Sequence, residues 1–165
     1  MNADTPLKPS VTPFYHAPTG TWTYVVADPV SRAAAVIDPV LDYDWRSGRT
    51  GEKSANALVA HCVSERLEVA WILETHAHAD HLSAAPYLKS RLGGRISIGR
   101  GILQVQATFK RIFGLGADFA ADGRQFDVLL ADGARIDLGA VAGRVIAAPG
   151  HTSDSVAYLI GDALF

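Results

Sequence analysis

Three imidazoles and a carboxylate fall within seven residues in Thr75-His76-Ala77-His78-Ala79-Asp80-His81, which holds half of the chain's six histidines. Neutral imidazole and carboxylate are good ligands for zinc and iron. Four such donors in so short a run are more than one ion easily takes, whereas two neighbouring ions could divide them. His76 and His78, two residues apart, point in similar directions from an extended backbone. If the chain curls after them, Asp80 and His81 face a second ion or support the first from the outer shell. A distant histidine, His151, lies in the Gly-containing turn Ala148-Pro149-Gly150-His151-Thr152 and can complete a three-His group with His76 and His78. Such a centre would activate water or present an open coordination position to another substrate.

Isolated residues of the same types carry no such message. His16 and His61 stand apart from the cluster, so solvent exposure or ordinary hydrogen bonding accounts for them. Cys62 falls in the apolar stripe of a predicted helix, which favours burial over a role as nucleophile or ligand. Lys110 and Arg111 read as a solvated helix face.

The elements that must position the cluster follow from periodicity. The apolar run Val69 to Leu73 predicts a largely buried strand feeding directly into the histidines. After them, Leu82 to Leu92 has helical spacing, stopped by Gly93-Gly94, with Pro86 tolerable only in a first turn. Upstream, Gly20 to Asp28 alternates through Trp22, Tyr24 and Val26, and Ala33 to Ile37 follows after a short turn, which predicts an antiparallel hairpin. The polar and aromatic stretch Leu41 to Gly51 suits a loop over a surface or beside a pocket. Glu52 to Leu67 predicts an amphipathic helix with Ala55, Leu58, Val59, Cys62 and Val63 on its apolar side. Downstream come a short strand, Arg95 to Gly99, and an amphipathic helix, Ile102 to Phe113. Phe126 to Leu130, Ala134 to Leu138, Val141 to Ala147 and Ser155 to Ile160 then suggest a second sheet. Only three residues follow the Gly161-Asp162 turn, which looks too few for a returning strand and suggests an incomplete sheet edge. A second copy of the chain would cover such an edge, so a homo-oligomer is compatible with the sequence.

Composition bounds the function class. With 165 residues, 48% hydrophobic and 19% charged, the chain has the make-up of one folded soluble domain. The formal charge of −2 offers no broad cationic face for nucleic acid. No apolar stretch approaches the ~20 residues that span a bilayer. The N-terminus lacks the apolar core of a secretory signal, and a lone Cys62 cannot form a disulfide within the chain, so a cytoplasmic location is the expectation. Residues 1–10, polar with two prolines, read as a flexible lead-in to a domain over 11–165.

The run THAHADH resembles the HxHxDH signature of the metallo-β-lactamase superfamily, and PGHT resembles its next ligand motif. The resemblance implies an α+β fold, the αββα sandwich whose ligand loops converge at one edge, here apparently truncated in the C-terminal half. Further stretches, among them AAAVIDPVLDYD, WILETHAHADHLSAAPYLK and DGRQFDVLLADG, are similar to the bacterial persulfide dioxygenase and glyoxalase II-like branch. The dioxygenase pattern implies Fe(II) held by His76, His151 and a later Asp, with oxygen and a small persulfide such as glutathione persulfide as substrates. The glyoxalase II pattern implies Zn(II) or a mixed dinuclear centre, with His76, His78 and His151 at one metal and Asp80 and His81 at the other, acting on a thioester. Asp80 is the candidate catalytic residue. Asp162, in GDAL, is the available candidate for the late Asp, although it stands close behind His151. The reading taken from sequence is a parent persulfide dioxygenase, with a thioester hydrolase as the alternative and an inactive fragment or scaffold as a third.

Overall fold

The computed structural model describes residues 7–165. Six strands form the main sheet in the order β1-β2-β3-β6-β8-β9: β1 (Ser10–His16), β2 (Thr21–Ala27), β3 (Ala33–Ile37), β6 (Glu68–Glu74), β8 (Arg95–Gly99) and β9 (Val128–Leu130). The first three pair antiparallel, and β3, β6, β8 and β9 run parallel. A second sheet joins β10 (Gly143–Ala147), β11 (Val156–Ile160) and β12 (Ala163–Leu164). A small third sheet, ordered β5-β4-β7, joins β4 (Val40–Asp44), β5 (Arg49–Gly51) and β7 (Leu82–Ser83). The helices are α1 (Lys53–Ser64), α2 (Ala85–Leu92) and α3 (Ile102–Ile112).

Central strands buried on both faces need apolar residues at every position, and β3 and β6 supply them. Successive side chains alternate between two cores. On one face Val26, Ala35, Ile37 and Leu73 meet Val145, Tyr158 and Ile160 of the second sheet. On the other, Val25, Val36 and Ile72 meet Ala55, Leu58 and Cys62 of α1 and Leu88 of α2. The layers are therefore helix, sheet, sheet. Among the described residues no helix follows β9, so the outer helical layer of a full αββα sandwich is not formed by these elements.

Most predicted elements are present, with instructive differences. Phe126 to Leu130 does not join the second sheet: its last three residues form β9 beside β8, because the long connection through α3 permits a parallel crossover. Ala134 to Leu138 makes only isolated bridges, Arg135 to Arg144 and Leu138 to Val141. Its tight turn needs Gly139 (φ +57°), where a Cβ would fall 2.0 Å from Ser31 Oγ. The stretch after Gly161 does return, since Ile160 pairs with Ala163 and Leu159 with Leu164. Leu41 to Gly51 is largely a hairpin rather than a loop. Leu82 lies in β7, which leaves Pro86 in the first turn of α2, where its missing N–H costs nothing. Two helical stripes are narrower than their periodicity implies: Val63 is 65% exposed, and α3 fully buries only Ile102 and Gln106 while Phe109, Ile112 and Phe113 remain exposed. Of the lead-in, residues 1–6 lie outside the described residues, and β1 begins one residue before Val11.

Candidate metal centre

Because β3 and β6 are parallel neighbours with Ile37 beside Leu73, their C-terminal ends emerge together and place Asp38 under the histidine loop. Asp38 takes a positive φ of 49°, one that Asp tolerates better than most side chains. Its Oδ1 accepts the Thr75 backbone N–H at 2.7 Å and His78 Nε2 at 2.9 Å, while Oδ2 accepts the Thr75 hydroxyl at 2.7 Å. One carboxylate thus fixes both the start of the loop and an imidazole within it.

A second carboxylate lies deeper. Glu74, the last residue of β6, is buried, and its Oε1 accepts the hydroxyl of Ser83, which itself accepts the Ala85 N–H at the start of α2. Glu74 Oε2 is 3.2 Å from His78 Nε2 yet forms no aligned hydrogen bond, since the Nε2 proton is directed at Asp38. Tyr158 of β11 donates to the Glu74 carbonyl at 2.6 Å and ties the second sheet to the same point. Burial pushes the Glu74 carboxyl up. Burial also opposes charging of His78, but the hydrogen bond to Asp38 and the two carboxylates of Asp38 and Glu74 close to its Nε2 outweigh it and raise this imidazole to about 10.

The remaining histidines are set differently. Thr75 Oγ1, its proton given to Asp38, accepts from His76 Nδ1 at 2.9 Å and leaves His76 Nε2 with a free lone pair. Burial and the neighbouring His78 charge hold both His76 and His81 below the usual imidazole range, so they present neutral donors. The His76 ring centroid lies 4.2 Å from that of His78 and 4.9 Å from that of His151. The His151 turn is docked on the loop by two bonds, the Ala77 N–H to Asp154 Oδ2 at 3.3 Å and the Val156 N–H to the Thr75 carbonyl at 2.9 Å. Asp80 places Oδ2 3.2 Å from His81 Nδ1 and Oδ1 4.0 Å from His78 Nδ1.

The structure therefore brings His76, His78, Asp80, His81 and His151 to one edge of the sandwich, around a cavity of about 510 Å³ that Asp38, His76, His78, Asp80 and His151 help to line. Asp162 is not brought there: it sits on the β11–β12 turn, with Oδ2 2.8 Å from Lys8 Nζ. His16 makes ordinary hydrogen bonds to Thr19 and Asp42, and Cys62 is buried. Sequence reasoning missed Asp38, Glu74 and Asp154. The available signals were an acid ending each of two apolar strands and an acid three residues after His151.

The donor set fits metal ions. Ligand atoms of His78, Asp80 and His81 lie within 4.8 Å of one another, as do those of Asp38, Glu74 and His78. His81 Nε2 is buried without a hydrogen-bond partner, an orphan that ligation would satisfy.

A family model, the metallo-beta-lactamase superfamily, matches residues 16–163, and the chain belongs to that superfamily. It is 49% identical over 150 residues to a probable metallo-hydrolase of Burkholderia pseudomallei, covering 91% of this chain and 51% of that protein. It is 29% identical over 142 residues to the mitochondrial persulfide dioxygenase ETHE1 of Bos taurus, covering 86% of this chain and 44% of that protein. Among solved structures, ETHE1 from Myxococcus xanthus superposes with a TM-score of 0.68 at 26% identity, covering 94% of this chain and 56% of that one. The chain spans about half the length of these relatives. Among the described residues, no helix is long and apolar enough to cross a membrane.

Proposed function

We propose that the protein containing this domain is a metal-dependent hydrolase acting on a thioester or a related small substrate. The observation that carries this reading is the number of donors gathered there: ligand atoms of His78, Asp80 and His81 lie within 4.8 Å of one another, and the rings of His76 and His151 stand beside them, more donors than one ion takes. His76, His78 and His151 would hold one ion, and Asp80 and His81 the other. Bound there, zinc or a mixed metal pair supplies Lewis-acid polarisation of a carbonyl and activation of water at neutral pH. The chain's own residues do the rest. Asp38 holds the His78 Nε2 proton inward, so that Nδ1 is the atom presented on the side of Asp80. Thr75 sets His76 with Nε2 free. Asp80 is half exposed, and its Oδ1, further from His81 than Oδ2, is the acceptor for the proton leaving the attacking water.

A second reading, a persulfide dioxygenase using Fe(II), is favoured by the fit to the Myxococcus xanthus structure. It would use His76, His151 and a carboxylate, and the candidate from sequence, Asp162, is engaged with Lys8. Metal analysis joined to two assays separates the readings. The hydrolase binds two ions and cleaves thioesters without oxygen. Iron at one ion per chain with persulfide-dependent oxygen uptake would overturn it.

A further inference from the structure

The aromatic hairpin at residues 40–51 is not accounted for by metal binding. In β4, Leu41 and Tyr43 share one face, while Asp42 on the other accepts from the Ser54 hydroxyl at 2.6 Å and its N–H at 2.8 Å, anchoring the strand to α1. Leu41 pairs with Leu82 of β7, immediately after His81, so the hairpin is bonded directly to the end of the ligand loop. Its tip is built rather than loose: Asp44 accepts from Arg46 N at 2.9 Å and Ser47 Oγ at 2.8 Å, and Gly48 takes a φ of +67° to close the turn. This rigid tip leaves Trp45 75% exposed and Tyr43 51% exposed.

Both rings border a cavity of about 540 Å³ that reaches His78, Asp80 and His81. Leu41 and Leu82 continue its apolar wall. Among the described residues no lysine or arginine lines it, and its ionisable side chains near the histidines, His78, Asp80 and His81, all belong to the metal centre, so the hairpin side of the cavity is uncharged. Arg46, the nearest cation in sequence, lies 5.2 Å from the Trp45 ring centroid as a cation–π partner.

We propose that the Tyr43 and Trp45 wall is the specificity subsite of the metal centre and holds an uncharged, apolar substituent of the substrate, such as an acyl or S-alkyl chain. This rests on the small-substrate reading above, in which the reacting carbon sits at the histidines and a chain extends toward Trp45. From sequence this stretch suits a loop over a surface or beside a pocket, and the hairpin supplies the aromatic wall of the latter.

The test is equilibrium binding of S-methyl-, S-butyl- and S-hexylglutathione to the metal-loaded full-length protein, read by calorimetry and by tryptophan fluorescence. A fully buried methylene is worth about fourfold in affinity, and a pocket open on one side about half that free energy, roughly twofold. The hexyl compound should then bind about 30-fold tighter than the methyl compound in the wild type. W45A should reduce that ratio below about fivefold, with Y43A in between, since both side chains are exposed and the variants keep their melting temperatures. A flat series in the wild type, including no binding at all, overturns the assignment, as does a ratio unchanged in W45A. Thioethers are not cleaved, so the result is independent of turnover. A graded series with no thioesterase activity would overturn the hydrolase reading alone, and thioester cleavage with a flat series would overturn the hairpin subsite alone.

Discussion

The two flanks of the histidine loop are built on opposite principles. On the inner flank, the buried Glu74 and the half-buried Asp38 and Thr75, these two bonded to each other, surround His78 Nε2 and His76 Nδ1 and tie them to both sheets and to α2. On the outer flank, Asp80 and His151 are exposed, and the hairpin presents bare aromatic rings. The difference separates two tasks. In the proposed metal centre the inner carboxylates would orient imidazoles whose opposite nitrogens face the cation, and their hydrogen bonds hold that orientation. The outer groups would meet ions, water and substrate on that reading, and they stay open.

If that division is right, variants on the two flanks fail in different ways. The largest effect is expected from Asp38→Ala, which leaves the Thr75 N–H, the Thr75 hydroxyl and His78 Nε2 without their acceptor. It should cost about 3 kcal/mol or more of stability and lower metal affinity by about 10- to 100-fold, measured by urea unfolding and metal titration. Asp80→Asn, on the outer flank, should leave the stability of the metal-free protein within about 0.5 kcal/mol while weakening metal binding and abolishing most turnover. Equal losses of stability in the two variants would erase the distinction.

A pH series sharpens the same contrast. The His78 imidazole is raised to about 10 in the folded metal-free protein, above its value of about 6.5 when unfolded. Its contribution to stability is therefore fully present below pH ~6.5 and lost as pH rises toward 10. The melting temperature of the metal-free protein should fall over that window, and the fall should shrink in His78→Ala. Metal affinity should move the other way, rising with pH as the competing proton leaves. The smallest effect concerns the core: burial pushes the Cys62 thiol up to about 11, so alkylation should be negligible in the native protein and rapid in denaturant. Fast native labelling would contradict the burial of the α1 stripe.

Candidate ligands were legible in the sequence, and the groups that hold them in place were not. The five candidate donors stand in two short motifs, and a close spacing of ligand-type residues is a pattern that one-dimensional order preserves. Asp38 and Glu74 are 36 residues apart in sequence. They meet only because β3 and β6 pair in parallel, a fact of tertiary register that no local pattern states. The same limit explains β9: Phe126 to Leu130 reads as a strand, but which sheet it joins depends on the crossover through α3. The hairpin was read as a loop, over a surface or beside a pocket, because Ser47, Gly48 and polar neighbours outweighed its short strands. Val63 and Phe113 show that apolar periodicity marks a stripe without fixing how much of it finds a partner.

The most direct test of the dinuclear reading is metal content read together with thermal stability, before and after chelation. The protein should hold two metal ions per chain, lose about 5 to 10 °C in melting temperature when they are removed, and regain it on reloading with zinc, as expected for ligands bound only by the native state. A protein that holds no metal, or whose melting temperature is unchanged after verified removal, would contradict the claim that this histidine loop is a metal centre built on an inner carboxylate frame.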